Sequence, residues 1–144
     1  MRIDGTWMLD EGGILYPLVI GEVLAADGAW ISCAFLIDTG SEVTVITADI
    51  LHRLGLPTQP SRRQLRGLGG VVASVSVDTQ LKFTQPDGSP ATVRHSFDAL
   101  TEVRESDISV LGRDVLGAFA LIVDRPARVI HLVSGRHRYL IQES

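Results

Sequence analysis

Phe35 to Thr47 reads "FLIDTGSEVTVIT": a carboxylate, Asp38, stands directly behind three apolar residues and directly ahead of Thr39, Gly40 and Ser41. Phe35, Leu36 and Ile37 end the run "AWISCAFLI" (Ala29–Ile37), whose aromatic and β-branched content predicts a buried strand. Thr-Gly-Ser supplies the residues of a tight turn. A carboxylate at such a junction costs free energy unless it is paired, hydrogen-bonded or used in chemistry. It can simply cap its own turn, as aspartates at strand ends commonly do. Whether it does more depends on the rest of the chain.

Upstream, "GILYPLVIGEVL" (Gly13–Leu24) reads as a strand joined to Ala29–Ile37 by an Asp-Gly turn within Ala25–Gly28. Downstream, Val43–Ile46 is a short strand. "TADILHRLGLP" then predicts a short helix with Thr47 as N-cap, Ile50, Leu51 and Leu54 on one face, and Gly55 as the stop. Ser61–Phe83 reads as a long hairpin with "GLGG" (Gly67–Gly70) at its tip, and Gln85–Pro90 as a turn before a strand over 91–100. "ISVLGRDVLGAFALIVDRPARVIHLV" predicts a short strand, a one- to two-turn helix around Arg113–Ala118 and a hairpin turning at Arg125–Ala127. "HRYLIQ" (His137–Gln142) reads as a last strand. The order strand, Asp38-Thr39-Gly40, strand, helix returns weakly as strand, Gly112-Arg113-Asp114, helix, strand. Nothing resembles a linker, so one domain over 1–144 is expected.

The bulk numbers narrow the function classes. With 45% hydrophobic and 21% charged residues in 144, the chain can bury a core. No apolar run approaches the ~18 residues of a membrane helix, and the acidic N-terminus lacks the apolar region of a signal peptide. A soluble, cytoplasmic protein is expected. One cysteine, Cys33, excludes an internal disulfide, and no Cys/His spacing suggests a metal site. Residues 1–50 carry eight acids and one base while 51–144 carry nine acids and twelve bases, a net −4 overall. That balance argues against a nucleic-acid partner, which selects concentrated basic surface.

A single carboxylate is a poor catalyst for amide hydrolysis, which needs a base for water and an acid for the leaving nitrogen. Two side by side can do both, because close like charges share one proton. The chain has one Asp-Thr-Gly. A second carboxylate has to come from another copy across a twofold axis, the commonest oligomer symmetry. Thr39 and Ser41 offer hydroxyl donors, to the partner backbone and to the outer oxygen of the carboxylate respectively. Donation by Ser41 predicts an acid-shifted working range.

"LIDTGSEVTVI", the glycine hairpin "RGLGGVV" and "SVLGRDVLGAF", in that order, resemble the retropepsin-like aspartic proteases, the single-lobe enzymes of retroviruses and their cellular and bacterial relatives. The resemblance spans about Tyr16 to Val133. It implies an all-β fold, a small closed barrel with one or two short helices, working as a homodimer. It further implies an aspartic endopeptidase without cofactor or metal, cutting extended peptide or protein segments with bulky apolar side chains. Asp38, Thr39 and Gly40 would form the catalytic turn, supported by Ser41 and by a Glu42–Arg113 pair. Gly67, Leu68, Gly69, Gly70 and Val71 would form a flap over the substrate. Leu36, Val45, Val71, Val72, Val110 and Leu111 are the expected apolar lining. Two features depart from the viral pattern: the helix Ala48–Leu54, and an end running past the matched region as "SGRHRYLIQES". The competing reading is a catalytically silent retropepsin-like module for dimerisation or peptide binding, since fold does not fix function.

Overall fold

The computed structural model describes residues 1–67, 69–105 and 107–143. In chain order the strands are β1 (Arg2–Asp4), β2 (Thr6–Leu9), β3 (Leu15–Leu24), β4 (Trp30–Ile37) and β5 (Val45–Ile46). Helix α1 (Ala48–Leu54) precedes β6 (Gln59–Pro60), β7 (Leu65–Gly67), β8 (Gly70–Val72), β9 (Ser74–Thr84), β10 (Pro90–Leu100) and β11 (Ser109–Leu111). Helix α2 (Arg113–Leu116), β12 (Phe119–Asp124) and β13 (Val129–Ser134) follow. None of these helices is long and apolar enough to cross a membrane.

The largest sheet runs β2-β3-β4-β11-β5-β10-β9-β6, and a further β3–β9 pairing joins it back on itself. The strands β3, β4, β11, β5, β10 and β9 thus form a closed ring, which leaves no open edge within it. The closing register sets Glu22 opposite Lys82 and Val23 opposite Leu81. An ion pair of 3.0 Å between Lys82 Nζ and Glu22 Oε2 spans that seam, and the same ammonium lies 4.3 Å from the Trp30 ring centroid. Alternation along the strands turns Val19, Val23, Phe35, Val77, Leu81, Phe83 and Phe97 into one buried cluster. Phe35 and Phe83 meet edge to face at 6.2 Å within it. Cys33 is buried there too, and desolvation pushes its thiol up to about 11.

The all-β closed architecture agrees with the expectation from sequence, and α1 spans the expected residues with Gly55 in the left-handed conformation behind it. Three details differ. The N-terminal stretch forms β1 and β2, because β13 and β3 supply pairing partners that a local reading cannot see. "HRYLIQ" has no regular structure: no sheet edge receives it, and Tyr139, Leu140 and Ile141 stand exposed. Thr47 makes no side-chain cap to α1; its backbone N–H donates instead to Ser109 Oγ at 3.1 Å, tying the helix start to β11.

Candidate active site

Asp38 emerges where β4 stops. β4 and β11 run parallel with Ile37 opposite Leu111, so the turn after β4 meets the segment Gly112-Arg113-Asp114 after β11. The Asp38 N–H donates to the Leu111 carbonyl at 3.2 Å, and Ser41 N–H donates back to the Asp38 carbonyl at 3.2 Å. Gly40 N–H donates to Asp38 Oδ1 at 2.9 Å, which fixes one carboxylate oxygen. Among the described residues, Oδ2 takes no hydrogen bond. Thr39 and Gly40 are exposed and Asp38 is half-buried, so the turn presents itself to whatever lies outside the barrel. Asp38 therefore both caps its turn and keeps an oxygen available.

The Gly-Arg-Asp segment clasps this turn. Arg113 N–H donates to the Ser41 carbonyl at 2.9 Å, and its guanidinium Nη1 donates to the Thr39 carbonyl at 2.9 Å. Thr44, fully buried, donates its N–H to Asp114 Oδ2 at 2.9 Å and its hydroxyl to Asp114 Oδ1 at 2.7 Å. The same hydroxyl accepts from Gly112 N–H at 3.0 Å, and Asp114 Oδ1 also accepts Val115 N–H at 2.9 Å. Gly112 has to be glycine. A Cβ there would lie 2.3 Å from the carbonyl carbon and oxygen of Val43. Asp114 thus serves the fold through Thr44, a partner that nothing in the local sequence singled out.

Two supporting roles are corrected. Glu42 does not pair with Arg113: its Oε2 lies 2.9 Å from Arg63 Nη1. Arg113 is occupied by the Thr39 carbonyl, a backbone acceptor within its reach, while Arg63 arrives from the root of the hairpin. Ser41 does not donate to the Asp38 carboxylate. Its hydroxyl turns forward to the Val43 carbonyl at 2.7 Å, so the acid shift expected from Ser41 loses its basis.

The flap expectation falls on β7 and β8, which among the described residues pair only with each other: Leu65 opposite Val72, Arg66 opposite Val71 and Gly67 opposite Gly70. Gly70 has φ +107°, and open space surrounds a Cβ at Gly69 or Gly70. Val71 is exposed. Leu68 lies outside the described residues. Of the expected lining residues, Leu36, Val45, Val72 and Val110 are half-buried, whereas Leu111 is fully buried and belongs to the core. Sequence reasoning missed a cavity of about 560 Å³ just ahead of β11, walled by Met8, Tyr16 and Ile108 and by Asp10, Glu11 and Glu105. Its acids come from two loops far apart in the chain, Asp10 and Glu11 between β2 and β3 and Glu105 between β10 and β11, which no local motif links.

Residues 25–115 match the family model described as "Aspartyl protease", a span that holds the whole clasp. The chain belongs to the aspartyl protease family. Among solved structures, the EIAV protease complexed with the inhibitor HBY-793 is similar at a TM-score of 0.50 and 23% identity, covering 71% of this chain and 86% of that one. A retropepsin-like aspartic protease from Rickettsia conorii is similar at 0.55 and 17% identity, covering 92% of this chain and 90% of that one. Both likenesses carry the fold, which is retropepsin-like. No curated protein sequence matches the chain. Within this aspartyl protease the only Asp-Thr-Gly is the turn described above, Asp38 to Gly40.

Proposed function

We propose that this chain is an aspartic endopeptidase whose active site forms on a twofold axis, with Asp38 contributed by each of two copies. One observation carries the reading: a half-buried carboxylate, fixed through one oxygen and clasped from behind, stands on an exposed turn. A rigid loop behind an accessible carboxylate is the preorganisation that acid–base catalysis requires. Across the axis the two carboxylates share a proton; the ionised one accepts a proton from water as the protonated one donates to the scissile carbonyl. Collapse of the tetrahedral intermediate returns a proton to the leaving nitrogen. Both acid and base come from the protein, so the reaction calls for no cofactor. In this reading Thr39, exposed on the turn, donates its hydroxyl to the partner turn. β7 and β8 supply a flap that can close over an extended peptide without disturbing the barrel.

The test is cleavage of a denatured-proteome peptide library from pH 4 to 7, read by mass spectrometry, for wild type and Asp38→Asn. Cuts between bulky apolar residues by wild type alone are expected. A wild type that is dimeric in sedimentation yet cuts nothing overturns the proposal in favour of a peptide-binding module.

A further inference from the structure

A second polar hollow, away from the Asp38 turn, has a floor that is not satisfied. It is a cavity of about 260 Å³ between the loop that leads from the Asp38 turn to β5, the hairpin root and the outer face of β9 and β10. Its floor is Asp98, whose residue is 8% exposed, with half-buried Ser76 and Val43 beside it. Asp98 Oδ1 accepts a long hydrogen bond from Ser61 Oγ at 3.4 Å. Asp98 Oδ2 is buried and has no partner among the described residues. A buried acceptor left without a donor is costly, and native structures rarely leave one idle.

The rim names the donor that fits. Arg62, Arg63 and Asp78 stand exposed around it, so with Asp98 the charged walls balance. Arg63 is engaged by Glu42, and the Ser76 and Ser96 hydroxyls satisfy each other at 2.7 Å. Arg62 has no ion pair among the described residues. An incoming ammonium must pass two guanidinium groups, and an incoming carboxylate meets Asp98. A neutral group that donates at one end and accepts at the other meets neither obstacle. Val43 lies in the loop between the Asp38 turn and β5, and Arg63 stands two residues ahead of β7, so the hollow lies between the two elements that the endopeptidase reading assigns to the peptide.

We propose that this hollow is a side-chain subsite for a carboxamide, glutamine or asparagine, of the bound peptide: its NH2 donates to Asp98 Oδ2 and its oxygen accepts from Arg62. The assignment rests on the endopeptidase reading for the peptide that delivers the group. Asp98 and Arg62 are then specificity-determining residues, remote from the reacting atoms.

The experiment uses peptides with a fixed apolar pair at the centre and glutamine, glutamate, lysine or leucine at one flanking position at a time. Cleavage is measured for wild type, Asp98→Asn and Arg62→Leu, and binding is measured by fluorescence anisotropy on Asp38→Asn. At one flanking position glutamine should exceed leucine by about tenfold in both readouts, since the unpaired floor rejects an apolar group. Asp98→Asn, which replaces an acceptor by a donor, should shift the preference to glutamate at that position alone. Arg62→Leu, on the exposed rim, should reduce the glutamine preference with an unchanged melting temperature. Equal use of glutamine and leucine at every position overturns the subsite, as does a preference for lysine. A parallel fall for all peptides with Asp98→Asn marks a structural role and overturns it too. If wild type cuts nothing but Asp38→Asn still prefers glutamine in binding, the subsite stands and the endopeptidase reading falls; no peptide binding at all removes both.

Discussion

At the scale of single residues the clasp around Asp38 separates interactions that matter from those that only look important. The Glu42–Arg63 pair is exposed on both sides, at 72% and 50% of the side chains, and exposed pairs are worth about 0–1 kcal/mol. Glu42→Ala should therefore leave the urea midpoint nearly unchanged. Thr44→Val is the opposite case: it strips a buried hydroxyl that serves both Gly112 and Asp114. A loss of about 1–3 kcal/mol in urea unfolding is expected, and a change under about 0.5 kcal/mol removes the clasp from this account. Arg113→Ala frees the Thr39 carbonyl while touching nothing in the core, so the rate should fall by more than the stability does. Paired measurements of kcat/KM and Tm decide that. Asp98 adds a pH signature. Desolvation raises its carboxyl above the ordinary value, outweighing the nearby Arg63 charge that lowers it. The folded state then holds the proton more tightly than the unfolded chain, so the stabilising contribution is complete below the unfolded pKa of about 3.9 and is lost as pH rises through the higher folded value. Asp98→Asn should flatten that decline in a urea series from pH 3 to 7. An unchanged slope contradicts it.

At the scale of elements, the sequence was legible where a motif and its geometry coincide. "DTGS" after an apolar run and "GRD" before a short helix announce two turns, and parallel β4 and β11 bring them together. Less legible was which donor takes which acceptor. Arg113 and Glu42 are both present as expected, but Arg113 finds a backbone carbonyl and Glu42 finds an arginine from the hairpin root. Such choices are settled by distances of a few ångströms that composition does not carry. Strand existence was likewise readable for long alternating runs such as β9 and β10, and not for β1, whose three residues acquire meaning only opposite β13. "HRYLIQ" has strand-forming residues and no partner. The β7–β8 hairpin gives the element-scale prediction. Gly70 sits at φ +107°, which L side chains rarely adopt, so Gly70→Ala strains the hairpin locally. Because β7 and β8 pair with no other strand among the described residues, the melting temperature should hold while turnover falls several-fold. A lowered Tm with normal turnover contradicts the flap assignment.

At the scale of the whole molecule, the barrel closes on itself but the proposed chemistry does not. One copy supplies one Asp38, and a shared proton needs two. Specific activity should therefore fall on dilution and return when copies are concentrated, with a midpoint that matches the dimer dissociation measured by sedimentation. Constant specific activity far below that midpoint contradicts the twofold site. The uneven charge, net negative over residues 1–50 and net positive over 51–144, adds that any association driven by complementary charge should weaken in salt.

The pairing of Arg2 with Val133 and of Ile3 with Leu132 has a kinetic consequence. These contacts join segments far apart in the sequence, so the entropy of closing a long loop is lost before β1 gains a single partner. The β1 amides should acquire exchange protection in the slowest refolding phase, after the barrel strands β9 and β10 are already protected. On a ribosome the same order means that residues 2–4 wait unpaired until β13 has been synthesised.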